Sequence, residues 1–251
     1  MMEQLSCERR IIRLEETDST NRYLKQLVRE EQPAEGSLVI ADYQTVGRGQ
    51  MGNSWYSSKG DNLLFSLLVY PRRLPANESF ILSRIASLAL KNMLDPFTDD
   101  VRIKWPNDIY WKDKKIAGIL IENDIQGREI DNSVIGIGLN VNQQIFPLDL
   151  PNPVSLRQIT GTLHDRDQLL EIFLREFFLL YRDLENDLKT AIEDEYMLDL
   201  YRVNDYYWFE DRKGRFKAKT EAVLPSGHLV LRTLESNEVR KYAFKEVSFV
   251  D

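Results

Sequence analysis

Tyr43-Gln44-Thr45-Val46-Gly47-Arg48-Gly49-Gln50-Met51-Gly52-Asn53-Ser54-Trp55 is the stretch around which the chain is organised. Its three glycines, Gly47, Gly49 and Gly52, let the backbone approach a ligand closely and turn its N–H groups toward an anion. Arg48 adds a charge with a fork geometry suited to phosphate or carboxylate, and Trp55 offers a flat face for stacking. The pattern Gly-x-Gly-x-x-Gly has familiar readings that the flanks exclude. A dinucleotide fold needs a helix directly after the third glycine, whereas Asn53 to Asn62 is turn-rich and the next apolar run, Leu63 to Tyr70, is strand-like. Gly-Lys-Ser/Thr is absent, so this is not a P-loop. A kinase would need a lysine strand and a His-Arg-Asp loop downstream, which are also absent. The stretch reads as a lid over an anionic ligand, with strand on either side.

Composition narrows the class. A hydrophobic fraction of 43% and a charged fraction of 29% belong to an ordinary globular protein, long enough for one large domain or a large and a small one. The net charge of −7 argues against a nucleic-acid protein held by bulk electrostatics. Cys7 is the only cysteine, which excludes an internal disulfide and a cysteine-rich zinc site and fits a cytoplasmic setting. Met1 to Ser6 lacks the pattern of a signal peptide, and no apolar run reaches the length of a membrane span.

Outward from the glycine stretch, Arg10 to Glu16 reads as a first strand. Tyr23, Leu24, Leu27 and Val28 then mark a helix that Asp18 or Ser19 would cap. Ser19, Thr20 and Asn21 admit two readings at this point: capping alone, or a helix N-terminus that holds a polar head group. Gly36 to Gln44 is a buried-type strand. Phe80, Leu82, Ile85, Ala86, Ala89, Leu90 and Met93 predict an amphipathic helix that covers the core. Val101 to Trp105 is a strand stopped by Pro106, with a tight polar turn at Pro106-Asn107-Asp108. Ile109 to Trp111 and Lys115 to Glu122 form a hairpin around Lys112-Asp113-Lys114. Gly118 interrupts a strand of large residues, so something approaches the backbone there. Val134 to Asn142 is a strand with small residues at alternate positions, one face open to a ligand.

Pro147 to Pro153 is a loop, and Leu169, Phe173, Phe177, Leu180, Leu184 and Leu188 are the core stripe of a long helix from about Asp167. From Tyr206 short strands alternate with turns at Lys213-Gly214, Pro225-Ser226-Gly227 and Ser236-Asn237, which suggests a small β-barrel. His164 and His228 have no nucleophile partner in a recognisable motif, which argues against a Ser/His/Asp hydrolase.

Asp18-Ser19-Thr20-Asn21, then Gln44 with Gly47-Arg48-Gly49 and Trp55, stand in a recognisable order with three later stretches. These are Lys104-Trp105-Pro106-Asn107-Asp108, Lys115-Ile116-Ala117-Gly118-Ile119-Leu120 and Gly136-Ile137-Gly138-Leu139-Asn140. Together they resemble the biotin protein ligases, and the tail with Phe244-Lys245-Glu246-Val247 resembles that family's C-terminal domain. The resemblance implies an α+β fold, a mixed β-sheet with helices largely on one side, followed by a small SH3-like β-barrel. The boundary is expected near residue 200, with 1–200 catalytic and 201–251 the barrel.

The activity implied is ATP-dependent: biotin and MgATP give biotinyl-5′-AMP, and a lysine of a biotin carrier domain of a carboxylase then displaces AMP. Biotin contacts would come from Ser19, Thr20, Asn21, Gln44, Gly47, Arg48, Gly49, Gln50, Lys115 and Gly118, with Gly118 making room for the bicyclic ring. Trp55, against the adenine, with Lys104, Asn107 and Asn140, would contact the nucleotide. Lys115 and Arg48 would face the carboxylate and α-phosphate, and Asp108 would orient or deprotonate the incoming lysine. No protein-bound metal is expected beyond the magnesium that accompanies ATP. A homodimer is left open. The roughly ten residues ahead of the first strand are too few for a DNA-binding domain, so neither DNA nor membrane is an expected partner.

The sequence also departs from the family. The usual loop reads Gly-Arg-Gly-Arg, but Gln50 replaces the second arginine and Asn53 a further one common among members. Lys59 or Lys114 could supply the missing charge. The rival readings are a lipoate protein ligase, whose Arg-Arg-x-Ser-Gly-Gly-Gly is absent here, and a non-catalytic nucleotide-binding or carrier-docking module.

Overall fold

Alternation of side chains along three central strands decides the architecture. The computed structural model describes residues 9–250; Cys7 and Met1 to Ser6 lie outside them. Strands β1 (Ile11–Leu14), β2 (Leu38–Ala41), β3 (Leu63–Val69), β4 (Val101–Lys104), β5 (Asp108–Trp111), β6 (Lys114–Gln126) and β7 (Glu129–Leu139) form one sheet. Its order is β1-β2-β3-β7-β6-β5-β4. β1 and β2 run parallel and the remaining neighbours antiparallel. Leu38, Ile40, Phe65, Leu67, Ile135 and Ile137 point to one face, where helices α2 (Phe80–Leu94) and α4 (Arg166–Glu185) cover them. Val39, Leu68 and Val134 point to the other, against Leu24, Leu27 and Val28 of helix α1 (Thr20–Glu31). Three helices, α2, α4 and α5 (Lys189–Leu198), therefore pack together on one side and α1 stands alone on the opposite one.

The expected long helix ends at Glu185, and Leu188 is half exposed at the start of α5 instead of continuing the stripe. Helix α5 escapes the periodic reading because only Ile192 and Tyr196 of it are buried. The short helix α3 (Leu156–Thr160) begins with a capping box between Ser155 and Gln158.

Strands β8 (Tyr207–Asp211), β9 (Gly214–Val223), β10 (Leu229–Thr233), β11 (Val239–Tyr242) and β12 (Val247–Phe249) form the second sheet. It is antiparallel, in the order β11-β10-β9-β8-β12. The five short strands match the expected module, whereas the ladder is open: β11 and β12 are its two edges, and they do not pair with each other among the described residues. Phe209, Val223, Leu229, Leu231, Tyr242 and Val247 belong to the same apolar cluster as the core of the larger sheet. The link is reinforced at Arg84 of α2, which is buried, donates to the Val223 carbonyl and pairs with Glu193.

Candidate active site

The site lies on the face of the larger sheet that α1 covers only in part. Ile135, Ile137 and Leu139 face the main core, so Gly136 and Gly138 face outward between them. Register sets Gly118 opposite Gly138 and Leu120 opposite Gly136, which leaves a shallow floor without side chains at its centre. In this structure the floor is covered by the chain itself. A Cβ on Gly118 would lie 2.9 Å from the Trp55 ring and one on Gly138 only 2.4 Å. A Cβ on Gly136 would lie 2.1 Å from Asn21 Oδ1. The alternate small residues thus receive Trp55 and Asn21, where the sequence suggested a face left open.

Lys115 reaches this face through a bulge. Ile109 pairs with Ala117 and Tyr110 with Lys115, so Ile116 is an extra residue in β6. Both Ile116 and Ala117 enter the core, and the extra residue turns Lys115 to the opposite side. Its Nζ lies 2.7 Å from Asp108 Oδ1 and 5.6 Å from the centre of the Trp55 ring. Asp108 itself sits opposite Gly118 in the ladder. It follows the turn that begins at the cis Trp105–Pro106 bond, and Asn107 there donates to the Ile119 carbonyl at 2.6 Å.

A polar network joins the start of α1 to the glycine loop. Ser19 holds the N-cap position in extended conformation, but its side chain makes no capping hydrogen bond with a described residue. Gln44 supplies the acceptor instead: its Oε1 receives the Thr20 N–H at 2.8 Å and the Thr20 hydroxyl at 3.2 Å. Ser66 Oγ lies 2.8 Å from Thr20 Oγ1 and 2.6 Å from Asn21 Oδ1. Asn21 Nδ2 donates to Glu122 Oε2 at 2.9 Å and to the Leu120 carbonyl. Glu122 Oε1 in turn pairs with Arg48 at 3.5 Å. Ser66 and Glu122 are members that the motif reading did not select; their even spacing from Gly136 and Gly118 along or across the ladder is the signal that finds them.

The network borders one cleft of about 680 Å³, with Ser66 and Glu122 behind its wall. Ser19, Thr20, Asn21, Gln44, Arg48, Gly49, Gln50, Trp55, Lys104, Asn107, Asp108, Lys115 and Gly118 all reach it. Two expected residues are absent from its wall. Asn140 is buried below it and donates to the Val154 carbonyl at 3.1 Å, and Gly47 packs against the Trp55 carbonyl, where a Cβ would lie 2.4 Å away. Lys104 Nζ sits 4.3 Å over the Tyr110 ring and donates to its hydroxyl at 3.2 Å. Burial first, and then the charge of Asp108, push the Tyr110 phenol up to about 12. Neither Lys59 nor Lys114 borders the cleft; the far wall comes from the smaller sheet, with Asp211, Arg212, Phe244, Lys245 and Glu246. No group of three or more His, Cys, Asp or Glu side chains able to hold a metal gathers among the described residues. Nor is any helix among them long and apolar enough to cross a membrane.

The chain that builds this cleft is similar to known proteins. Residues 14–140 match the model of the biotin/lipoate A/B protein ligase family. A bifunctional ligase/repressor BirA of Bacillus spizizenii is 33% identical over 86% of this chain and 67% of its own. A biotin–[acetyl-CoA-carboxylase] ligase of Mycobacterium tuberculosis is 31% identical over 64% of this chain and 60% of its own. The fold is similar to that of a biotin protein ligase from Aquifex aeolicus solved with biotin and ATP. That similarity has a TM-score of 0.77 at 26% identity, over 95% of this chain and 97% of that one. The chain belongs to the biotin/lipoate A/B protein ligase family.

Proposed function

We infer that the protein is an ATP-dependent biotin protein ligase. It joins the biotin carboxylate to the α-phosphorus of ATP with loss of pyrophosphate, then passes the acyl group to a lysine amine of a biotin carrier domain with loss of AMP. The observation that carries this reading is the Lys115–Asp108 pair over the Gly118 floor of the cleft. In the first step Lys115 and Arg48 face the carboxylate and the phosphate oxygens, where negative charge concentrates as the anhydride forms. Stabilising such charge with preorganised donors is usually the leading catalytic effect. In the second step Asp108 takes the proton of the incoming ammonium, which cannot attack until it is neutral.

Ser19, Thr20, Asn21, Gln44, Gly49 and Gln50 receive the biotin head and chain. Trp55, with one face on the glycine floor, turns the other to the adenine, and Lys104 and Asn107 border the nucleotide. Asn140 and Gly47 act from behind the wall by holding Val154 and Trp55. Magnesium enters with the nucleotide as part of the substrate.

Mass spectrometry of a carboxylase biotin carrier domain, after incubation with the protein, biotin and MgATP, tests the reading. The expected result is one biotinyl addition on one lysine that requires both small molecules. A carrier left unmodified, or modified equally well when lipoate replaces biotin, would overturn it.

A further inference from the structure

Glu122 stands where two walls of the cleft meet. Its partner across the ladder is Val134, which faces α1, so Gly118, Leu120 and Glu122 alternate onto the α1 side of the sheet. Asp124, two residues further on, pairs with Lys25 of α1 at 3.1 Å, whereas Glu122 divides its two oxygens between separate elements. Oε2 accepts from Asn21 Nδ2 in the first turn of α1 at 2.9 Å, and Oε1 lies 3.5 Å from the Arg48 guanidinium in the glycine loop. Each end of this bridge carries more than one residue. Asn21 lies over Gly136 and is held by Ser66 through its Oδ1. Arg48 is bridged to Ser54 across the loop. The two arms are zipped by the Gly49 N–H to the Asn53 carbonyl at 2.7 Å and the Trp55 N–H to the Gly47 carbonyl at 2.9 Å. Holding Arg48 therefore also holds the arm that bears Trp55.

We propose that Glu122 is a positioning residue: one oxygen sets the Arg48 guanidinium toward the reacting carboxylate and phosphate, and the other fixes Asn21 at the biotin head. The proposal rests on the ligase reading above. A guanidinium carries five donors in a rigid plane, so an ion pair along one edge leaves further donors for an anion in the cleft. Both side chains of the pair are partly exposed, and such a pair adds little to the stability of the fold. What it adds is a defined direction for a long side chain on a glycine-rich backbone. The two contacts are separable by chemistry, because a carboxylate accepts at both oxygens and an amide at only one. Glu122→Gln still accepts from Asn21 but offers Arg48 no charge. Glu122→Ala removes both contacts and leaves Asn21 Nδ2 with the Leu120 carbonyl.

Biotin-dependent ATP–pyrophosphate exchange on the whole protein tests this in wild type, Glu122→Gln, Glu122→Ala, Arg48→Gln and the double variant Arg48→Gln with Glu122→Gln. Misplacement of a catalytic group slows the reaction steeply, so Glu122→Gln should lower the maximal exchange rate roughly tenfold and keep the KM for biotin within about twofold of wild type. Glu122→Ala should lower the rate to a similar extent and also raise the KM for biotin about fivefold, the size expected for loss of one ordinary hydrogen bond. In the Arg48→Gln background, Glu122→Gln should cause no further loss, because a residue that acts through Arg48 then has nothing to position. A residue that merely supports its strand would cause the same loss in both backgrounds. A wild-type maximal rate in Glu122→Gln, additive losses in the double variant, or equal rises in the KM for biotin in Glu122→Gln and Glu122→Ala would overturn the proposal. Absence of exchange in wild type would overturn the ligase reading and this proposal with it, whereas normal wild-type exchange accompanied by any of those three results would remove the proposal alone.

Discussion

Lys115 Nζ and Asp108 Oδ1 stand 2.7 Å apart although they lie on different strands, because Asp108 is opposite Gly118 and the extra residue Ile116 swings Lys115 to Asp108's side. The pair gives each group a partner before any ligand arrives. In the proposed reaction a phosphate that drew Lys115 away would leave the carboxylate to act on an amine, and occupation of the first site would prepare the second step.

Lys115→Ala should fold normally, since both side chains are partly exposed and such a pair is worth at most ~1 kcal/mol. Adenylate formation should fall by ~10²-fold, as for loss of one preorganised donor. Biotin-dependent ATP–pyrophosphate exchange measures this; a folded variant with wild-type exchange would remove Lys115 from the chemistry.

Asp108→Asn keeps the size of the side chain and removes its charge. Transfer to the carrier should suffer more than adenylation, by ~10²-fold or more if proton removal limits the step. Supplying biotinyl-AMP directly isolates the transfer, and equal rates from wild type and variant would show that Asp108 is not the base.

Gly138→Ala places a methyl group 2.4 Å from the Trp55 ring. The indole must leave the floor, since overlap of that kind cannot be absorbed by small shifts. The variant should remain folded, shift its tryptophan emission to longer wavelength, and lose on the order of 10²-fold in kcat/KM through misplacement of the loop. An unchanged emission spectrum, read against Trp55→Phe to isolate that indole, would mean that Trp55 does not rest on Gly138 in solution.

Arg84 tests the seam between the sheets. Its guanidinium lies 5.6 Å from the Phe80 ring centre and 5.8 Å from that of Tyr196, and its side chain is almost wholly buried. Arg84→Ala should cost ~3 kcal/mol, lowering the melting temperature by roughly 6–12 °C. Arg84→Met preserves the stem's volume and should cost much less, because a buried ion pair gives up much of its attraction to desolvation. Calorimetry that found the two variants equally damaged would show that the charge, not the packing, holds the seam.

Strand alternation and the turn residues made most of this architecture legible. The hairpin at Lys112-Asp113-Lys114 and the five short strands after Tyr206 needed nothing beyond local pattern. Leu188 misled because a stripe carries no mark of the residue at which a helix stops, and α5 escaped because its buried residues are few. The lining of the cleft was readable where glycines or motif residues announced it. Ser66 and Glu122, which support Asn21 from behind that lining, were not, since a serine or glutamate within a strand acquires its meaning only from the register that sets it beside Asn21. Asn140 sits in the motif but below the wall, so its place in the sequence could not reveal its depth. Lys245 illustrates the same limit over a longer distance: its neighbour Asn53 is 192 positions away.

The bulge in β6 has a consequence for how this strand can vary. Pairing β6 with β5 in unbroken alternation from Gly118, with Ile116 kept but the bulge ironed out, would carry Lys115 to the core side, exchanging a reactive ammonium for a buried charge. Residues could be added to the turn at Lys112-Asp113-Lys114 without that penalty. The facing of Lys115 is therefore fixed by the bulge: the turn beside it is free to drift, while a regular ladder through the same residues silences the site.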